Sequence, residues 1–441
     1  MQRKLTLAAL AAIPLLAACG EREEILPGER LGIREVLQSA EPAEDTAGNR
    51  ALPIALGAAT ANADWAQSAV SPAFRTTHAA LSLPLAPLWS VPIGEGDSRR
   101  QRLNTDPVVA GGRVFTMDSA HLVTAVSTSG ETLWTFDLTP LRDDPSQAQG
   151  GGLAAANGRL YVASGFGTLT ALDAATGAEI WTQRLGATAT GAPTVRGGVV
   201  YVVGGDTTAW AIEADDGRIR WQLDGNADLN NMAGAPAPAV NDALALFSFG
   251  NSTVQAAFLQ GGLRRWNADI AGGRNGFAIA SVNDITGDPV IDGNRAYVGN
   301  HSGRLVALDV NSGDRIWTLR EGALDAVWPV GGSLFFVSDR HELVRVDAGD
   351  GTKIWSVGLP GYEPTRRPQA RRDSAYAQHG PILAGGRLLV AGSDGMIRAF
   401  NPEDGSLTGT TEVPGGATTR PVVANGTLYV VSTRGMLHAF R

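Results

Sequence analysis

Leu169-Thr170-Ala171-Leu172-Asp173-Ala174-Ala175-Thr176-Gly177-Ala178-Glu179-Ile180-Trp181 has a near copy in Leu305-Val306-Ala307-Leu308-Asp309-Val310-Asn311-Ser312-Gly313-Asp314-Arg315-Ile316-Trp317. A third version runs from Val344 to Trp355 with Asp350-Gly351 at its centre. Apolar residues alternate on both sides of the glycine, and glycine supplies the positive φ of a tight turn, so each stretch is a β-hairpin. Outward from these, tryptophans recur at Trp89, Trp134, Trp181, Trp221, Trp266, Trp317 and Trp355, spaced by 45, 47, 40, 45, 51 and 38 residues. Ahead of most of these hairpins stands a second one, as in Asp106-Pro107 to Phe115, Pro193 to Tyr201 and Asp288-Pro289 to Tyr297. Each unit therefore holds four antiparallel strands, and units of ~40–45 residues repeated in this way are blades of a β-propeller.

Unit starts near Pro107, Leu153, Pro193, Pro238, Pro289, Pro329, Pro381 and Pro421 give eight blades. The eighth stops at Phe440-Arg441 after three strands, while Pro87-Leu88-Trp89-Ser90-Val91 carries the repeat tryptophan with no blade before it. The all-β ring is expected to close with this N-terminal strand as its missing outer edge, which removes an aggregation-prone open sheet. The tryptophans are expected to pack between neighbouring blades. Blade seven departs from the pattern, reading Gly405-Ser406-Leu407-Thr408 with no tryptophan.

Composition agrees. Glycine is 55 of 441 residues, a turn-rich figure, and charged residues are only 18%. A 44% hydrophobic fraction is enough for a large core. The net charge of -8 disfavours nucleic acid as a partner, because phosphate contact needs a basic surface.

The N-terminus reads as an address. Arg3 and Lys4 precede the apolar run from Leu5 to Leu16, too short to cross a bilayer of ~30 Å, so residues 1–18 are expected to be a signal peptide. The run ends in Leu16-Ala17-Ala18-Cys19, which resembles a bacterial lipobox, and Cys19 is the only cysteine of the chain. Lipidation is expected there, with the lipid as the only membrane attachment; by resemblance to enterobacterial sorting rules, Gly20 rather than aspartate at the next position implies a periplasmic outer-membrane location. Without residues 1–18 the charge becomes -10 (34 basic, 44 acidic). Disulfides and cysteine metal sites are ruled out for the body of the protein. Residues 19–60 are expected to form the tether, with a short helix at Leu31 to Gln38. Residues 61–87, including Asn62-Ala63-Asp64-Trp65 and His78, are expected to pack on the propeller of residues 88–441.

The string Ala-Leu-Asp-x-x-x-Gly-x-x-x-Trp, as in Ala171 to Trp181, resembles the pyrroloquinoline-quinone-type propeller repeat. Joined to a lipobox, eight blades and this length, it resembles the BamB family of outer-membrane protein assembly lipoproteins. That resemblance implies a non-enzymatic scaffold without cofactor that docks on BamA, the barrel-inserting subunit of the assembly complex, and assists insertion of outer-membrane proteins. The rival is a periplasmic quinone-dependent dehydrogenase, which by resemblance needs a vicinal cysteine pair, calcium and an acidic base in the propeller axis. The cysteine pair is missing, and aspartates such as Asp173, Asp309 and Asp347 sit at hairpin turns where they satisfy backbone donors. A ligand-binding propeller is a third reading.

Other chemistry is thin. His78, His121, His301, His341, His379 and His438 have no metal-site spacing, and most read as turn or surface residues. There is no Gly-x-Ser-x-Gly elbow, and Gly165-Phe166-Gly167 is a hairpin turn, not a dinucleotide loop.

Strand order places the hairpin turns on one rim and the interblade connections on the other. The connections vary in length, from 12 residues (Trp181 to Pro193) to 26 (Trp355 to Pro381), either as drift or because they bind. Two of them match the places where the family meets its partner: Asn230-Asn231-Met232-Ala233 before blade four and Asn283-Asp284-Ile285-Thr286 before blade five. Asp284 matches an acidic family contact and Met232 keeps an apolar character. Thr286 replaces a second acid, and Asn230 and Ala233 replace a leucine and an arginine. A second contact zone is drawn from charge alone. Arg99, Arg100 and Arg102 before blade one, and Arg366, Arg367, Arg371 and Arg372 before blade seven, form a basic patch for acidic protein segments or anionic headgroups, or a solvated loop pair.

Overall fold

Eight sheets of four antiparallel strands make up the protein, seen in a computed structural model that describes residues 48–205, 207–226, 236–273, 284–364 and 374–441. Numbering strands A to D from the axis outward, blades one to seven span 108–137, 151–184, 194–224, 239–269, 290–319, 328–358 and 378–412. Blade eight takes strands A to C from 422–440 and strand D from Pro87–Pro92, which pairs antiparallel with Met436–Phe440. The ring thus closes with the strand Pro87–Pro92 on the outside of the last blade, as expected from the sequence. Strands B and C are almost wholly buried between blades, whereas strand D alternates, as in Glu179–Arg184. The described residues hold one further element, a 3-10 turn at Pro145–Gln147.

Blade contact follows one rule. Each repeat tryptophan donates its indole N–H to a carbonyl of the next blade's C–D turn: Trp89 to Thr128, Trp134 to Ala174, Trp181 to Ala214, Trp221 to Leu259, Trp266 to Val310, Trp317 to Ala348 and Trp355 to Pro402, at 2.9–3.3 Å. The ring lies on that turn's glycine. Gly130, Gly177, Gly217, Gly262, Gly313, Gly351 and Gly405 all have positive φ, and a Cβ on any of them would fall 2.6–2.9 Å from the indole. The glycine is thus required twice, by the turn and by the neighbouring ring. This also accounts for blade seven. Its neighbour is blade eight, whose strands C and D come from opposite ends of the chain, with no turn and no glycine between them to receive an indole. There Ala86 and Arg441 exchange backbone hydrogen bonds of 2.8 Å instead.

Antiparallel order places A–B and C–D turns on one face and B–C turns with interblade connections on the other. Residues 49–80 run over the turn face. The Asn49 carboxamide pairs with both the N–H and the C=O of Ser356, and Arg50 N–H donates to Ile354 O. This covers the outer edge of blade six: Ile354 is 4% exposed, against 42% for its counterpart Ile180 in blade two. Buried Arg345 donates to the carbonyls of Leu52, Pro402 and Glu403 and fixes the segment as it turns inward. Residues 49–57, expected within the tether, thus lie on blades six and seven.

The segment then meets the inner strands in turn. Asn62 donates to Val423 O, Trp65 exchanges hydrogen bonds with Val109, and Ala66 O accepts from Ala155 N–H. Gln67 pairs with Val195, Val70 O accepts from Ile291, Thr77 O from the Trp328 indole, and Ala79 N–H donates to Leu383 O. Seven of the eight blades are joined by this strap, and Trp65 stacks on Trp328 with centroids 6.1 Å apart.

The aspartates at the hairpin turns bond locally, as expected. Asp173 Oδ1 accepts from the N–H groups of Ala175 and Thr176 and from the Thr176 hydroxyl, and Asp309 Oδ1 from those of Asn311 and Ser312. The histidines correct the sequence reading. His121, His301 and His341 do occupy B–C turns, two of them with positive φ, but His78, His121, His301 and His438 are buried rather than superficial. The signal peptide, Cys19, the region of Leu31 to Gln38, Asn230 to Ala233, Asn283 and Arg366, Arg367, Arg371 and Arg372 lie outside the described residues.

Candidate docking face and central channel

On the connection face, the segments before blades four and five are joined to one another. Asp288 Oδ1 accepts from Ala237 N–H at 2.7 Å; on the other side, Thr194 Oγ1 of the inner strand of blade three donates to Pro238 O. Ile285 is fully buried in the core shared by blades four and five, and it draws its neighbours inward. Asp284 is 4% exposed, and half-buried Thr286 lines the central channel. Of the residues expected to meet a partner before blades four and five, the two described ones, Asp284 and Thr286, therefore face into the protein. Asp284 shapes the connection and does not present its carboxylate on the surface.

Arg99, Arg100 and Arg102 are exposed in the connection from blade eight to blade one. Arg102 pairs with Asp97 at 3.2 Å, and Asp97 also accepts from Leu103 N–H, which pins the loop.

The channel is a cavity of about 270 Å³ whose lining includes Trp65 and Gln67 to Ala69 of the strap. Its polar centre was not found in the sequence. Arg420, opening blade eight, donates through Nε to Asp106 of blade one and through Nη2 to Asp288 Oδ2 of blade five at 2.9 Å, so one side chain spans the ring. Asp288 also accepts from Ser68 Oγ at 2.7 Å, which ties the strap to the same centre. Burial works against the charge of Arg420, but Asp106, Asp288 and Asp325 more than offset it and hold the guanidinium protonated. Asp325 is pushed above the ordinary carboxylate range by burial, opposed by Arg420 and His379; it accepts from Gly380 N–H. The available signal was positional. Asp106-Pro107, Asp288-Pro289 and Arg420-Pro421 put a charged residue before the proline that opens a blade, where it must point at the axis.

A quinone cofactor of the rival class is a polycarboxylate anion. Here its site would present three carboxylates against one guanidinium already held by two of them, a donor set that repels such a ligand. Among the described residues no group of three or more His, Cys, Asp or Glu is placed to hold a metal ion. The residues present do not fit the group.

The fold and the channel define a closed eight-bladed β-propeller of the tryptophan-glycine repeat type, pinned across its axis by an arginine and strapped on its turn face. The sequence model of the family described as outer membrane protein assembly factor BamB matches residues 119–357 and 344–441. The chain belongs to that family. It is 26% identical over 342 residues to the outer membrane protein assembly factor BamB of Moranella endobia, covering 76% of this chain and 84% of that one. Among solved structures, BamB from Moraxella catarrhalis superimposes with a TM-score of 0.66 at 18% identity, over 81% of this chain and 99% of that one. Quinohemoprotein alcohol dehydrogenase from Comamonas testosteroni superimposes with a TM-score of 0.65 at 16% identity, over 87% and 81%. These two likenesses concern the fold alone, which both classes share.

Proposed function

We propose that this protein is a non-enzymatic scaffold of outer-membrane protein assembly, held at the periplasmic face by a lipid on Cys19 and docked on a BamA-type barrel-inserting subunit. Family membership across residues 119–441 is the observation that carries this reading. Its geometry is compatible. Residues 49–80 lie on the turn face, and the connections before blades four and five are on the opposite side. Residues 1–18 are the signal peptide in this account, and the chain between Cys19 and Asn49 is the tether. Docking rests on Met232 and its neighbours, with Asp284 supporting the loop from inside. Arg99, Arg100, Arg102 and the arginines at 366, 367, 371 and 372 form a second, electrostatic contact.

The test is co-purification. From detergent-solubilised outer membranes, a tagged form should bring down the BamA-type subunit, and Met232→Asp should reduce recovery about 10-fold. Recovery equal to that of an untagged control overturns the proposal.

A further inference from the structure

Between blades one and two, on the side of the connection face, lies an open groove of about 710 Å³. Its large apolar side chains are those of Phe136, Leu138, Leu141 and Phe166, with Pro140 and Ala187 beside them. Leu141 is 106% exposed, an unusual state for leucine in a structured loop. Hydrogen bonds order the loop on both sides of it: Thr139 N–H donates to Asp137 Oδ1, Asp143 N–H to Pro140 O, and Asp144 caps the 3-10 turn that follows. Leu141 is therefore held out in solvent by structure, and Phe166 is backed by the ring of buried His121, with centroids 4.8 Å apart.

The charges of the lining are unequal. Asp137, Asp143 and Glu179 face one base, Arg184, which leaves two negative charges in excess; exposed Arg142 is not part of the lining. A preformed apolar surface with an acidic border fits one kind of occupant. We propose that this groove receives an extended polypeptide segment of another protein in which apolar side chains alternate with lysine or arginine. The apolar side chains cover Leu141 and Phe166 while the basic ones meet Asp137, Asp143 and Glu179. This surface is distinct from the connections before blades four and five, so its failure would leave the docking proposal intact.

The experiment uses the purified protein and two fluorescein-labelled peptides, one of alternating leucine and lysine and one of alternating leucine and glutamate, with binding read by anisotropy. The lysine peptide is expected to bind at least about 10-fold more tightly than the glutamate peptide. Leu141→Glu is expected to weaken the lysine peptide about 10-fold. That variant separates the groove from general attraction, because it makes an acidic protein more acidic and would strengthen a purely electrostatic association. The side chain is fully solvated, so folding is not at risk, and a circular dichroism melt verifies this. Unchanged or tighter binding by Leu141→Glu overturns the proposal. So does binding of the protein to phosphatidylglycerol vesicles, abolished by Leu141→Glu, without binding of the lysine peptide, which would make the patch a membrane contact.

Discussion

The indole of Trp89 lies on Gly130, and the two residues belong to opposite sides of the ring's closure. Trp89 is on the N-terminal strand that completes blade eight, and Gly130 is in the C–D turn of blade one, where a Cβ would sit 2.8 Å from the ring. The contact that joins consecutive blades elsewhere thus also joins the first strand of the chain to the first complete blade. On this side of blade eight, closure is made by the repeat contact itself.

Removing Leu88 to Val91 takes away both this contact and the partner of the strand Met436–Phe440. The exposed edge should lower the melting temperature and promote aggregation, seen by differential scanning fluorimetry with light scattering. An unchanged melt would refute the closure.

The interblade rule predicts coupled losses. Trp134→Ala should cost about 3–5 kcal/mol in denaturant unfolding. Gly177→Ala should also destabilise, by about 1–3 kcal/mol, through its positive φ and the collision with the ring. The double variant should lose less than the sum, because once the indole is gone the Cβ has room.

Arg420→Met should destabilise by about 3–5 kcal/mol, since it strands Asp106 and Asp288 at the axis without their counter-charge. Adding Asp106→Asn and Asp288→Asn should recover much of the loss. No recovery would mean that Arg420 acts through packing rather than charge.

Acid should weaken the fold through its buried imidazoles. Burial lowers the imidazole pKa of His121, His301, His341 and His438 in the folded state. Above the ordinary value of ~6.5 both folded and unfolded chains hold them neutral; below it the unfolded chain takes up protons that the folded one refuses. The histidine contribution should therefore be full at neutral pH and fall as pH drops from 7 towards 5. Asp118 and Asp325, whose carboxyls are raised by burial, work in the opposite direction. Melting curves across this range check the sign, and His121→Phe should flatten the slope.

The ring was legible because its information is local and repeated. Proline, glycine and tryptophan mark most blades in the same order, and the exception at Leu407-Thr408-Gly409 follows from its neighbour, blade eight, having no C–D turn. The channel was not legible, because Arg420 and Asp288 lie 132 residues apart and meet only when the ring shuts. The burial of Asp284 was missed for a similar reason: Ile285 beside it fills a core shared with another blade, which no local pattern reports.

The central claim is that the connection face docks on the assembly subunit while the turn face does not. Cys19 is the only cysteine, so in a form beginning at Gly20 single cysteines can be labelled with a bulky polyethylene-glycol maleimide. Exposed Asn226, at the start of the connection to blade four, and Asp242, exposed in the A–B turn of the same blade, place the label on opposite faces. Affinity for the periplasmic domains of the BamA-type subunit is then measured by biolayer interferometry. The account predicts that labelled Asn226→Cys binds at least about 10-fold more weakly while labelled Asp242→Cys stays within about 2-fold of the unlabelled protein. Loss of binding on labelling Asp242→Cys, with Asn226→Cys unaffected, would contradict it.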